Sequence, residues 1–428
     1  MSKSELAFVR HEILPEQAPP VTEAGIVKWL RDNLFPGPVN TVLTLVAIYF
    51  LFKLLSGAMP WFWNGVWTAS SLSECREILD GATGGCFSVL TERWNQLLFG
   101  FKYPSEAYWR PTLAFALLLV SIAPVLFSKL PRKLLILTLL YPFIAFWLIW
   151  GGTILTPLMI LLGFAAGYVA FHRTEAKGFG TAALFGVAVT VLVWWLGSYI
   201  SAAAPNVVAL TPVPSRDMGG FMLNMILGTV CVSLSLPFGI LLALGRQSDM
   251  PIIKWICVIF IEFIRGVPLI TLLFVANVVL AYFLPPGTSF DLILRVIIMI
   301  TMFASAYIAE VVRGGLAALP RGQYEAANSL GLDYAQSMRL IILPQALKIS
   351  IPGIVNVAVG LFKDTTLVSV ISMFDLVGMI RGPILASTEW NGIYWELWGF
   401  AVVLFFIVCY SISQYSQWLE RQLQRDHR

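Results

Sequence analysis

Charge is what this sequence has least of. Of its 428 residues only 12% are Asp, Glu, Lys or Arg, about half of the roughly 25% carried by a soluble domain. A chain that is 58% hydrophobic, with 15 Trp, 29 Phe and a mean hydropathy of +0.79, is built for a lipid solvent. Its net charge of +4 is too small to imply a nucleic-acid partner and corresponds to basic loops at a membrane surface. Histidine is equally scarce. His11, His172 and His427 fall in segments between or outside the apolar runs, without Cys or carboxylate at ligand spacing, so no metal centre is expected. There is no Gly-x-Ser-x-Gly elbow and no Walker A loop. The glycines of "DGATGGCFS" lack the Lys-Ser/Thr pair a phosphate cradle needs. No catalytic set emerges. No short apolar core precedes a small-residue cleavage site, so the first apolar run is expected to remain as an anchor.

Long hydrophobic runs are abundant. A spanning helix needs about 20 mostly apolar residues, and ten candidates follow: 41–58, 112–127, 134–150, 153–171, 180–200, 219–244, 266–284, 292–312, 350–372 and 397–416. The second to fourth are short and interrupted by Pro124, Pro142 and Pro157. The expected fold is an all-α integral membrane protein. Lys and Arg concentrate in "SKLPRK", "HRTEAKG", "GRQSDMPIIK" and the loop holding Arg313, Arg321 and Arg339, whereas "AAAPNVVALTPVPS", "PPGTSF" and "RGPILASTEWNG" are nearly free of them. The positive-inside rule then places the first set, and both termini, in the cytoplasm.

Residues 59–110 face outward in this topology and carry Trp61, Trp63, Trp67, Trp94 and Trp109, a density that suits a cap packed on the membrane interface. Cys75 and Cys86 lie in this segment; a disulfide closing a short external loop and two free buried thiols fit equally. Cys231, Cys257 and Cys409 read as small buried side chains within apolar runs. No internal repeat is evident. Intramembrane charges are concentrated after residue 219, and a boundary there divides an N-terminal membrane extension, 1–218, from a second domain, 219–428.

Two polar elements interrupt the second domain. "GLFKDTTLVS" places Lys363 and Asp364 roughly 20 Å into a helix that starts near Ser350. A charge at that depth costs about 2.5–3.5 kcal/mol on insertion scales, so it persists only if paired or facing a polar cavity. Adjacent helical residues point about 100° apart, which is a poor arrangement for mutual pairing. Lining of a polar path by Lys363, Asp364, Thr365 and Thr366 is the reading preferred over a structural ion pair. The second element, "PRGQYEAANSLGLDYAQSMRLIILPQA", predicts two short helices, with Pro320 near the first start, Gly331 as a left-handed C-terminal residue, Asp333 as a cap and Pro344 as a stop. Leu330, Leu332, Met338, Leu340 and Ile341 are expected to form its apolar face. By pattern alone an amphipathic loop on the membrane surface also fits.

Residues 320–331 with "ILPQ", Ile342–Gln345, resemble the EAA loop of importer-type ABC transporter permeases. "AEVVRGG" before it and "KDTTL" after it resemble the polar-amino-acid branch, and "CREILDGATGGCFSVLTERWNQLLFGF" with "YWRP" is similar to the larger, AapM/BztC-type permease of general L-amino-acid transporters. The resemblance implies a type I importer core formed by the last five spans, with a coupling loop at 313–348 in which Glu325, Ala326, Ala327, Gly331 and Pro344 serve ATPase docking. It implies partners as well: a second permease completing the pore, cytoplasmic ATPase subunits that bind ATP and Mg²⁺, a periplasmic amino-acid-binding protein, and membrane lipid. This chain itself would need no cofactor and would not be an enzyme. By the same resemblance Glu310, Arg313 and Arg265 belong to a structural or gating group at the cytoplasmic mouth. Arg265 opens "RGVP", where Val267 replaces the family's usual threonine. Asn277 stands where the family often has glutamine, facing the path, and Glu389 and Trp390 are candidates for meeting the binding protein. A secondary transporter driven by an ion gradient is the alternative; such proteins commonly show two matched halves, which this sequence lacks.

Overall fold

The computed structural model describes residues 25–127, 129–279 and 291–425. His11, His427 and the "PPGTSF" loop lie outside these residues. Among the described residues nine helices are long and apolar enough to cross a membrane, or ten if the bent pair Pro251–Gly266 and Leu269–Asn277 counts as one span.

By contacts the chain forms two units, one of residues up to Val66 together with Arg76–Gly85, the other of Trp67–Cys75 and Cys86 onward. In the first, α1 (Gly25–Leu34) is short, and α2 (Pro38–Trp63) starts with Pro38 in the first turn, where a missing N–H costs nothing. The Thr44 hydroxyl donates to the Leu34 carbonyl at 2.6 Å and fixes the corner between them.

The second unit holds the remaining spans. After the short helices α3 (Leu72–Leu79), α4 (Ser88–Glu92) and α5 (Trp94–Phe99), the spans α6 (Trp109–Leu126), α7 (Leu135–Trp150), α8 (Leu155–Thr174) and α9 (Phe179–Ala203) form two hairpins. The "WGGT" turn between α7 and α8 uses Gly151 and Gly152 at φ +74° and +82°, a region that penalises a Cβ. Gly152 exchanges backbone hydrogen bonds with Leu210, and Trp150 accepts one from Val213. α10 (Gly220–Arg246) then crosses, followed by α11 (Pro251–Gly266) and α12 (Leu269–Phe274), which meet at a 102° bend. The bend is made at Val267–Pro268, because proline disfavours helical backbone in the residue before it. The sequence-based span 266–284 is therefore broken near its start; its last five positions lie outside the described residues.

α13 (Leu292–Ala317) returns, with Asp291 as its N-cap accepting from Leu294 N–H. A polar hairpin follows, α14 (Arg321–Ser329) and α15 (Tyr334–Ser337), and then α16 (Leu343–Asp364). A short α17 (Leu376–Met379) and the long α18 (Trp395–Arg425) complete the chain. The main core joins side chains of the connecting segments and outer helix ends, including Phe99, Ala114, Ile149 and Val213, to Leu223, Leu227, Leu273, Ile300 and Val368. A second core near the hairpin gathers Ala243, Ile261, Val312, Met338 and Ile342.

Candidate functional site

Helix α16 carries the Lys363–Asp364 pair in its last turn, and the next seven residues, Thr365–Ile371, tighten into a 3-10 helix. Ser372 then takes a left-handed conformation at φ +63° and reverses the chain. Lys363 is exposed and Asp364 half-buried. Neither forms an ion pair among the described residues, as their angular separation predicts. The Thr366 hydroxyl donates to the Lys363 carbonyl at 2.8 Å.

Thr365 is fully buried, and its hydroxyl is committed twice. It donates to the Phe362 carbonyl at 2.7 Å and accepts from Asn224 Nδ2 at 2.9 Å. The same Asn224 amide reaches Asp375 Oδ2 at 3.1 Å, while its Oδ1 accepts the Leu376 N–H at 3.1 Å. Asp375 in turn caps α17, taking the Gly378 N–H at 2.9 Å and the Val377 N–H at 3.3 Å. Asn224, Thr365 and Asp375 all have 0% exposure. Burial pushes the Asp375 carboxyl up to about 6, against the pull of the Gly378, Asn224 and Val377 bonds. Gly220 N–H also donates to the Phe374 carbonyl at 2.8 Å, so the start of α10 is sewn to the reversed segment. Thr365 is thus a strut in this conformation and not a lining group. Sequence reasoning missed Asn224 and Asp375; the available signal was one amide in "GFMLNMILG" and one carboxylate in "ISMFDLVGM".

Asn277 lies half-buried in a π turn, Val275–Val279, after α12. Its carbonyl accepts Arg295 Nη1 at 3.2 Å, and α12 packs on the 365–371 turn. No hydrogen bond joins Asn277 to Lys363, Asp364, Thr365 or Thr366.

At the opposite end of the spans, Glu310 collects three arginines. Arg313 donates to it through Nε at 3.0 Å and through a second, shorter contact, and Arg246 and Arg265 approach to 3.5 and 3.6 Å. Arg246 also binds Glu262 at 2.8 Å, and the Arg265 guanidinium lies 5.5 Å from the Tyr307 ring. The cluster ties α10, α11 and α13 together. Arg246 was not foreseen as a member.

The polar hairpin has the expected corner. Gly331 is left-handed at φ +71°, and Asp333 with Gln336 makes a reciprocal capping box. Pro344, however, does not end the run. The Leu343 N–H bonds five residues back to Met338 in a π turn, so a proline without an N–H follows without breaking the rod. Tyr334–Ile371 is one continuous helical run in place of the expected start near Ser350. Ala327 and Met338 are buried, whereas Glu325, Ala326, Arg339 and Pro344 are exposed. Leu330 (73% exposed), Tyr334 and Leu340 also face outward, so the expected single apolar face is split between the core and a free surface. Gln345 Nε2 donates to Gln323 Oε1 at 2.9 Å and to the Ile341 carbonyl at 3.0 Å, latching the two arms.

In the cap, Cys75 and Cys86 form a disulfide. Cys86 N–H donates to the buried Glu396 carboxylate at 2.8 Å, Leu72 N–H to the Glu389 carbonyl at 2.8 Å, and Arg93 pairs with the Glu389 side chain. Trp390 is fully buried and is not a surface contact. His172 is exposed beside Glu175, and no group of three metal-ligating side chains occurs among the described residues.

Residues 235–425 match the family described as "Binding-protein-dependent transport system inner membrane component". Over 434 aligned residues, 99% of this chain and 100% of the relative, the sequence is 53% identical to the "Glutamate/glutamine/aspartate/asparagine transport system permease protein BztC" of Rhodobacter capsulatus. The chain belongs to the amino-acid ABC transporter permeases. The permease is also 38% identical, over 92% of each chain, to the "Inner membrane amino-acid ABC transporter permease protein YhdY" of Escherichia coli K12. A shorter relative, the "Probable glutamine ABC transporter permease protein GlnP" of Bacillus subtilis, is 31% identical and matches 47% of the permease but 90% of its own length.

Proposed function

We propose that the permease is the membrane-spanning subunit of an ATP-driven importer of L-amino acids in a bacterial inner membrane, with both termini in the cytoplasm. The hairpin docks on a separate ATPase that binds ATP and Mg²⁺, a second permease chain completes the pore, and a periplasmic binding protein delivers the substrate at the cap side. The carrying observation is mechanical. One helical run from Tyr334 to Asp364, about 45 Å at 1.5 Å per residue, joins the exposed hairpin to the Lys363–Asp364 pair, and its lower end is clamped by Gln345–Gln323. Motion imposed on Leu330, Tyr334 and Leu340 by a partner is delivered to the pair through a rod rather than a loop.

At the pair, Lys363 receives the substrate carboxylate and Asp364 its ammonium, with Asn277 bordering the path. Thr366 contributes acceptor capacity, because its proton is already given to the Lys363 carbonyl. Thr365 acts indirectly, holding the turn through Asn224. The Glu310 cluster locks α10, α11 and α13 above the coupling hairpin so that they move together.

The test is uptake by proteoliposomes containing the assembled complex with ATP inside and no ion gradient. Import is expected, and Asp364→Asn is expected to raise the substrate KM at unchanged assembly. Import that needs an ion gradient and ignores ATP refutes the proposal in favour of secondary transport.

A further inference from the structure

Three stretches far apart in sequence meet at the cap end of the spans: "LLFGF" (97–101) of the cap, "MGGF" (218–221) at the start of α10, and "MFD" (373–375) after the reversal at Ser372. Glycines make the meeting possible. Gly100, which ends α5 at φ +88°, lies so close to α10 that a Cβ on it would stand 2.8 Å from the Gly219 Cα. A Cβ on Gly219 would stand 2.7 Å from the Phe374 carbonyl oxygen, and one on Gly220, at φ +60°, 2.5 Å from the Leu97 carbonyl oxygen. Approaches this close admit no side chain, so backbone rests on backbone across all three stretches.

Direct contacts close the junction. The Gly220 N–H donates to the Phe374 carbonyl at 2.8 Å, and the Phe101 ring meets that of Phe374 edge-on, with centroids 5.6 Å apart. Phe99, Met218, Met222 and Met373 bury their side chains in the same core. Phe374 precedes Asp375, whose carboxylate takes the Asn224 amide that also holds Thr365. Thr365 follows Asp364 directly. From the Gly100 backbone to the Lys363–Asp364 pair the physical connection is therefore unbroken.

The cap grips the chain again beyond the turn, through the Cys86 N–H on Glu396 and through Trp94 against Phe400, with ring centroids 5.8 Å apart. The segment between Ser372 and α18 is thus held by the cap at both ends. The matched family region, 235–425, contains Thr365, Phe374 and Asp375 but not Gly100, Gly219, Gly220 or Asn224. The turn lies in family-wide sequence; its brace does not.

We infer, on the reading of Lys363 and Asp364 as the substrate contacts, that the cap segment Leu97–Phe101 is a positioning element of the translocation path. It sets, through Phe374 and Asp375, the turn that presents the pair to substrate. The N-terminal extension then takes part in substrate handling itself.

The test is amino-acid uptake by the assembled full-length complex in proteoliposomes, with Asp364→Asn measured alongside. Phe101→Ala is expected to raise the substrate KM about fivefold, the loss of one aromatic pair, with the maximal rate within about twofold of wild type. Phe101→Tyr, which keeps the ring, should behave as wild type. Trp67→Ala, which removes a ring stacked on Phe87 elsewhere in the cap, should leave KM unchanged. Gly100→Ala drives a Cβ into Gly219 and should raise KM further; where that variant does not assemble, Phe101→Ala decides. Combined with Asn224→Leu, Phe101→Ala should add less to KM than it does alone, because both act through one turn. A normal KM for Phe101→Ala beside a raised KM for Asp364→Asn overturns the positioning role alone. A normal KM for Asp364→Asn overturns the substrate pair and the positioning role with it. A fall in maximal rate at unchanged KM, or full additivity with Asn224→Leu, also overturns the positioning role.

Discussion

The Asn224 amide is the most consequential single group in the buried network, and replacing it by leucine of similar volume isolates its contribution. Asn224→Leu removes three hydrogen bonds, one of them to a carboxylate. Bonds to charged groups contribute about 1.5–3 kcal/mol and neutral ones about 0.5–1.5 kcal/mol each. The Leu376 N–H is also left buried and unpaired, while burial of leucine returns part of the loss. The expected net destabilisation is about 3 kcal/mol, a large fraction of the 5–15 kcal/mol that holds a typical domain. Equilibrium unfolding in mixed micelles measures it. A double-mutant cycle with Thr365→Val sharpens the test, because Thr365 loses its Asn224 bond in either single variant and the two effects should fall short of additivity. In transport assays Asn224→Leu should raise KM more than it lowers the maximal rate, since the turn that presents Lys363 and Asp364 is loosened. A destabilisation under about 1 kcal/mol, or strict additivity with Thr365→Val, would refute the reasoning.

Asp375 makes the network sensitive to pH. Its folded value of about 6 lies above the ordinary 3.8, so between these values the folded state holds a proton that the unfolded state has lost. Stability should fall by about 3 kcal/mol as pH rises from 4 to beyond 6 and level off above 7; Asp375→Asn should flatten that slope in unfolding midpoints taken across the range. Gly331→Val forces a β-branched residue into φ +71° and should abolish ATPase co-purification while leaving the spans folded by circular dichroism. Cys75→Ser with Cys86→Ser opens a loop of 11-residue separation, and a loss of about 3 kcal/mol from the cap is expected, read as faster proteolysis at 67–100 under non-reducing conditions.

Much of this permease was legible from one dimension. Spans follow from hydropathy, because lipid demands continuous apolar surface and internally satisfied backbone. The hairpin corner was equally legible: a left-handed Gly331 and an Asp333 cap are local, decided by residues within one turn of each other. Tertiary structure decided what local rules leave open. Pro344 reads as a stop, yet the rod continues through it, because the π turn that accommodates it is set by the packing of Met338 and Ile342 on α10, α11 and α13. Thr365 reads as a path residue, yet 141 positions separate it from the Asn224 amide that takes its hydroxyl. Arg246 and Arg265 reach Glu310 from two other helices. Composition and short-range periodicity determine which segments enter the bilayer. Which buried polar group meets which is settled only when distant helices pack, since an unpaired polar atom in that interior costs too much to leave to chance.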